Sequence, residues 1–106
     1  MVAQISPRQL KEQIEAGDRP TILDVRESWE LEIARLPDTV HIPMGELARR
    51  AAELDTQHEV IVICRSGGRS LHAAEFLARR GFARVANLEG GILAWSRDVD
   101  PGIPLY

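Results

Sequence analysis

The stretch Val60-Ile61-Val62-Ile63-Cys64-Arg65-Ser66-Gly67-Gly68-Arg69-Ser70 decides the fold. Four consecutive β-branched residues without polar alternation describe a strand covered on both faces, as at the centre of a parallel sheet. A loop rich in glycine, serine and arginine follows. The spacing then predicts an amphipathic helix over Leu71 to Arg80, closed by Gly81.

Working outward, the same alternation of short apolar runs and helically spaced stretches recurs. Toward the N-terminus, Val2 to Ile5 reads as a weak strand, and Ser6 and Pro7 open a helix carrying Leu10 and Ile14 that ends at Gly17. Thr21 to Val25 reads as a second strand. Ser28 to Ile33 reads as a short helix with Trp29 and Ile33 on one face. After a turn at Pro37 and Asp38, Thr39 to Ile42 reads as a third strand, and Leu47, Ala48, Ala51 and Leu54 trace a helical stripe. Beyond the central segment, Arg84 to Leu88 reads as a fifth strand and Ile92 to Arg97 as a last helix. Pro101 and Pro104 keep the tail irregular. The pattern predicts an α/β fold in three layers, α/β/α, and residues 1–106 read as one domain without repeat or linker.

Ligand sites in open parallel sheets form outside the carboxyl ends of the strands, where a loop closing onto a helix start turns its N–H groups inward. Cys64 to Ser70 occupies that place. Gly67 and Gly68 permit positive φ and close backbone approach, so successive N–H groups can converge on one anionic centre, the Cys64 sulfur. The helix end, Arg65 and Arg69 all favour thiolate over thiol. A lone cysteine is more often a small buried hydrophobe. That role explains neither the glycine pair nor two arginines in the same tight loop, whereas an anionic substrate explains both.

The segment Cys64-Arg65-Ser66-Gly67-Gly68-Arg69-Ser70 resembles the active-site loop of the rhodanese-like family, the thiosulfate sulfurtransferases. Further motifs follow in order. Asp24-Val25-Arg26-Glu27 with Glu30, the pairs Leu36-Pro37 and Ile42-Pro43, and Leu88-Glu89-Gly90-Gly91-Ile92-Leu93-Ala94-Trp95 are each similar to family signatures. The resemblance implies a five-stranded parallel sheet of order 3-2-4-5-1, with Asp24 and Arg26 at the rim of the Cys64 pocket. Arg26 would there meet a substrate anion, or else form a structural ion pair with Asp24. Gly90, Gly91 and Trp95 would pack around the loop. One departure stands out, because Ala34-Arg35-Leu36-Pro37-Asp38-Thr39 replaces the family's common Gly-His-Ile-Pro-Gly-Ala and requires a differently built turn.

The resemblance implies transfer of sulfane sulfur from a small anionic donor such as thiosulfate to a thiophilic acceptor, either cyanide, a thiol or a protein, through a persulfide on Cys64. Thiolate attack needs no side chain to move a proton, so the lack of an adjacent general base is consistent with it. Ser66, Gly67, Gly68 and Ser70 would bind substrate through the loop, together with Arg65 and Arg69. A persulfide relay or binding module within a larger pathway is the alternative. A cysteine phosphatase or arsenate reductase fits less well. Cysteine phosphatases place five residues between cysteine and arginine, one more than the four between Cys64 and Arg69. Redox cycling lacks a second cysteine to resolve an oxidised Cys64.

A net charge of −3 and 5% aromatic residues argue against a nucleic-acid partner. His41, His58 and His72 are not spaced as metal ligands, and neither a metal nor another cofactor is expected. A single cysteine suits a reducing compartment, and no signal-like or membrane-length apolar run is present, so a cytoplasmic location is expected.

Overall fold

The computed structural model describes residues 2–106. The strands are β1 (Ala3–Ile5), β2 (Thr21–Asp24), β3 (Val40–His41), β4 (Val60–Ile63) and β5 (Val85–Leu88). The helices are α1 (Pro7–Glu15), α2 (Ser28–Ile33), α3 (Met44–Arg50), α4 (Gly68–Arg79) and α5 (Gly91–Asp98), with a 3-10 turn at Ala51–Glu53 after α3. All pairings are parallel, and the sheet order is β1-β5-β4-β2-β3, the 3-2-4-5-1 order read from its other edge.

β4 sits at the centre, bonded to β2 and β5, and all four of its residues are at most 1% exposed. Because successive side chains point to opposite faces, it feeds two cores. Val60 and Val62 join Leu23, Leu47, Ala73 and Leu77 under α3 and α4. Ile61 and Ile63 join Leu10, Leu88, Ile92 and Trp95 under α1 and α5. The unbroken apolar run of this strand is the direct consequence of having two covered faces.

Local chemistry sets the helix starts. Ser6 forms a capping box with Gln9, each side chain bonding the other's backbone N–H, and Pro7 takes the first helical position. Glu27 and Glu30 do the same for α2, where Glu30 and Leu31 are the buried residues. Trp29 and Ile33 share the outward face instead, at 59% and 43% exposure. α3 is shorter than the apolar stripe predicts, because the chain tightens into the 3-10 turn before Leu54. α4 begins at Gly68, three residues before the predicted Leu71, so half of the glycine–arginine loop is the helix's first turn. In the turn at Pro37 and Asp38, Asp38 takes the left-handed conformation (φ 58°) that aspartate tolerates better than most residues. Glycine is therefore not needed at that point.

The N-terminus of α5 abuts the start of the loop after β4. Ile92 N–H donates to the Cys64 carbonyl at 2.9 Å and Leu93 N–H to the Arg65 carbonyl at 3.1 Å. Gly91 makes this contact possible, having φ 60° and leaving so little room that a Cβ would lie 2.5 Å from both carbonyl oxygens. Among the described residues no helix is long and apolar enough to cross a membrane.

Gly91→Ala is therefore expected to lower stability by about 2 to 4 kcal/mol, through backbone overlap added to a left-handed alanine. The thermal denaturation midpoint should fall by more than about 8 °C. An unchanged midpoint would show that the α5–loop contact carries no constraint.

Candidate functional site

Cys64 follows β4 directly and is 1% exposed. The next residues turn sharply, with Gly67 at φ 107°, and enter α4 at Gly68. With the Cys64 and Arg65 carbonyls held by α5, the loop's N–H groups are left to serve the sulfur. Gly67 N–H donates to Cys64 Sγ at 3.1 Å and the Ser70 hydroxyl lies 3.2 Å away. Burial pushes the Cys64 thiol up. The Ser70 hydroxyl and the backbone N–H groups of Ser70, Gly67 and Ser66 overcome it, and the net shift is below the ordinary thiol range.

The two loop arginines contribute differently from what proximity in sequence suggests. Arg69 makes a bidentate pair with Glu30, Nη1 to Oε2 at 2.7 Å and Nη2 to Oε1 at 2.8 Å. Arg65 turns outward, donating from Nε and Nη2 to the main-chain oxygen of Tyr106, and its guanidinium carbon stands 5.3 Å from that ring's centroid. The thiol is lowered chiefly by hydrogen bonds from the loop, because both guanidiniums already have other partners.

Arg26 and Asp24 lie on the neighbouring β2 and just beyond it, both fully buried. Arg26 Nε donates to Asp24 Oδ1 at 3.0 Å and Nη2 to Oδ2 at 2.8 Å. Its remaining donors reach the Ala34 carbonyl at 2.8 Å and the Tyr106 hydroxyl at 2.7 Å. Of the two roles open to Arg26, the geometry is that of the structural ion pair, with the guanidinium facing protein oxygens.

Glu30 and Tyr106 complete the surroundings. The Tyr106 hydroxyl donates to Glu30 Oε1 at 2.9 Å, so a chain of bonds runs Asp24, Arg26, Tyr106, Glu30, Arg69 beneath and beside the loop. In the sequence Glu30 stands out only as part of a motif. Nothing local reveals that its carboxylate crosses to Arg69. Tyr106 and Asn87 are not legible there as site residues at all. Among the described residues no cluster of His, Cys, Asp or Glu could hold a metal ion.

The chain matches the Rhodanese-like domain family over residues 6–98. It belongs to the rhodanese-like family. It is 40% identical over 100 residues to "Putative sulfurtransferase YtwF" of Bacillus subtilis, covering 94% of this chain and 96% of that one. It is also 40% identical over 95 residues to "Putative sulfur carrier protein YrkF" of the same organism, 90% of this chain but only 51% of that protein. Among solved structures, a rhodanese-related protein from Thermoplasma volcanium superposes with a TM-score of 0.85 at 35% identity, covering 98% and 99% of the two chains. Relatives in this family are named as sulfurtransferases and as a sulfur carrier.

The Arg69 pair, helped by the Glu27 N–H and the Tyr106 hydroxyl, outweighs burial and brings Glu30 from 4.5 down to about 2. A lowered carboxylate pKa contributes stability that is full above 4.5 and is lost as pH falls through about 2. Glu30→Gln lacks this contribution. Its stability deficit against the wild type is expected to shrink by about 1 to 2 kcal/mol between pH 6 and pH 3, measured by urea unfolding. A deficit independent of pH would show that Glu30 is not held ionised by Arg69.

Proposed function

We propose that Cys64 carries sulfane sulfur as a persulfide, taking it from thiosulfate or a similar small anionic donor and passing it to a thiophilic acceptor. The observation that carries this reading is the convergence of the Gly67 N–H and the Ser70 hydroxyl on a thiol held below its ordinary pKa. In the first step the Cys64 thiolate attacks the outer sulfur of thiosulfate. The sulfur–sulfur bond of the donor breaks, its electron pair leaves with sulfite, and a persulfide anion remains. In the second step cyanide or a thiolate attacks the outer persulfide sulfur, and the electron pair returns to Cys64. No net redox change and no proton carrier are required.

The outer sulfur of a persulfide lies about 2 Å beyond Sγ, so an acceptor need not reach the buried Sγ itself. Arg65 is the guanidinium best placed to meet a donor's anionic end, since it is exposed and bonds a main-chain oxygen, not an acidic side chain. The relationship to a protein named as a sulfur carrier favours a second reading, in which the acceptor is another protein. The exposed Trp29, edge-on to Tyr106 with centroids 6.5 Å apart, would then lie at the docking rim.

Intact mass after thiosulfate treatment should rise by one sulfur atom, and the gain should disappear on adding cyanide or reductant. Cys64→Ser should show neither the gain nor thiosulfate-to-cyanide transfer, while keeping its circular dichroism. Turnover near wild type in that variant would overturn the assignment.

Separate outcomes are expected for the two arginines. Arg65→Ala should raise KM for thiosulfate several-fold at a stability cost below about 1 kcal/mol. Arg69→Ala should instead lose about 1 to 3 kcal/mol in denaturant unfolding, because it leaves the buried Glu30 carboxylate without its cation. The reverse pattern would assign the recruiting charge to Arg69.

A further inference from the structure

Ser70 Oγ faces two acceptors with one proton. It lies 3.2 Å from Cys64 Sγ and 2.5 Å from Asn87 Oδ1. Asn87, on β5 and 2% exposed, is fixed in orientation by its own amide. Nδ2 donates to Gln4 Oε1 at 3.0 Å and to the Gly67 carbonyl at 3.2 Å, which uses both of its protons and leaves Oδ1 turned to Ser70. Asn87 therefore touches the Ser70 hydroxyl directly and holds the carbonyl of Gly67, the residue whose own N–H donates to the sulfur.

We propose that Asn87 is a positioning residue of the Cys64 site, competing with the sulfur for the Ser70 proton so that Ser70 acts as a two-position hydroxyl. While Sγ is a neutral thiol, the Ser70 O–H points to Asn87 and its oxygen accepts from the thiol. Once Sγ is an anion it is the stronger acceptor, and the hydroxyl turns to it. Resting on the persulfide reading, the same logic follows the cycle. In the persulfide the charge sits on the outer sulfur, Sγ is a neutral divalent atom, and the proton returns to Asn87. When the acceptor removes the outer sulfur, charge reappears on Sγ and Ser70 turns back. Ser70 thus stabilises charge at the moment it develops on the leaving thiolate, which is where a bond accelerates the reaction.

Other groups beside the loop are Arg65, Arg69 with Glu30, Asp24 with Arg26, Tyr106, and the exposed Glu89 in the turn after β5. All remain in place when Ser70 or Asn87 is replaced, which makes a double-mutant cycle interpretable. The readout is the pH profile of iodoacetamide labelling at Cys64 for the full chain, Ser70→Ala, Asn87→Ala and the double variant. It reports the thiolate whether or not sulfur is transferred, so it stands apart from the mass experiment.

Ser70→Ala is expected to raise the labelling pKa by about one unit. Replacing Asn87 removes its hold on Gly67 in either background, but frees the hydroxyl only where Ser70 is present. The shift caused by Asn87→Ala should therefore be more downward, by about half a unit, in the wild-type background than in the Ser70→Ala background. Asn87→Asp, of the same shape but a stronger acceptor, should give a difference of the opposite sign, and carries the test if the alanine variant melts early. Equal shifts in the two backgrounds for the variant that folds would overturn the proposal and leave Asn87 a structural residue.

Discussion

The site depends on which way a few peptide groups face. α5 takes the Cys64 and Arg65 carbonyls through the N–H groups of Ile92 and Leu93, and the loop then has donors to offer the sulfur. A buried thiolate is costly unless its charge meets hydrogen bonds. Here they come from the same backbone that positions the residue. Gly91 permits the approach because any Cβ would overlap the carbonyls, and Gly67 permits the turn because φ 107° suits no other residue well.

A second tier holds the loop from the side. Arg69, Glu30, Tyr106, Arg26 and Asp24 form one continuous set of hydrogen bonds linking the first turn of α4 to α2, β2 and the last residue of the chain. The two carboxylates are balanced by two guanidiniums, and the third guanidinium, on Arg65, faces outward. Charge in this region thus serves mostly to hold shape, and in the proposed reading anion recruitment falls to Arg65.

The same parsimony appears in the polar interior. Ser70 and Asn87 are both buried, and both amide protons of Asn87 are taken, by Gln4 and by the Gly67 carbonyl. A network with a single mobile proton between two acceptors can respond to charge on the sulfur without any backbone movement.

Much of this is legible in the chain itself. The apolar run of β4 requires a central strand with two covered faces, and the cysteine and glycine pair after it mark a tight turn whose N–H groups face the sulfur, because these features act through local backbone geometry. The start of the first helix follows from Ser6, whose side chain caps within three residues. The early start of α4 is hidden because glycines that permit a turn also disguise a helix's first residues. Tyr106, Asn87 and the Glu30–Arg69 pair were decided only by tertiary structure. Their partners lie 76, 17 and 39 residues away for Tyr106–Glu30, Ser70–Asn87 and Glu30–Arg69. No local periodicity encodes such a pairing. It arises when parallel strands bring their carboxyl ends to one edge of the sheet, and the hydrogen bonds of buried polar groups must then be completed by whatever residues arrive there.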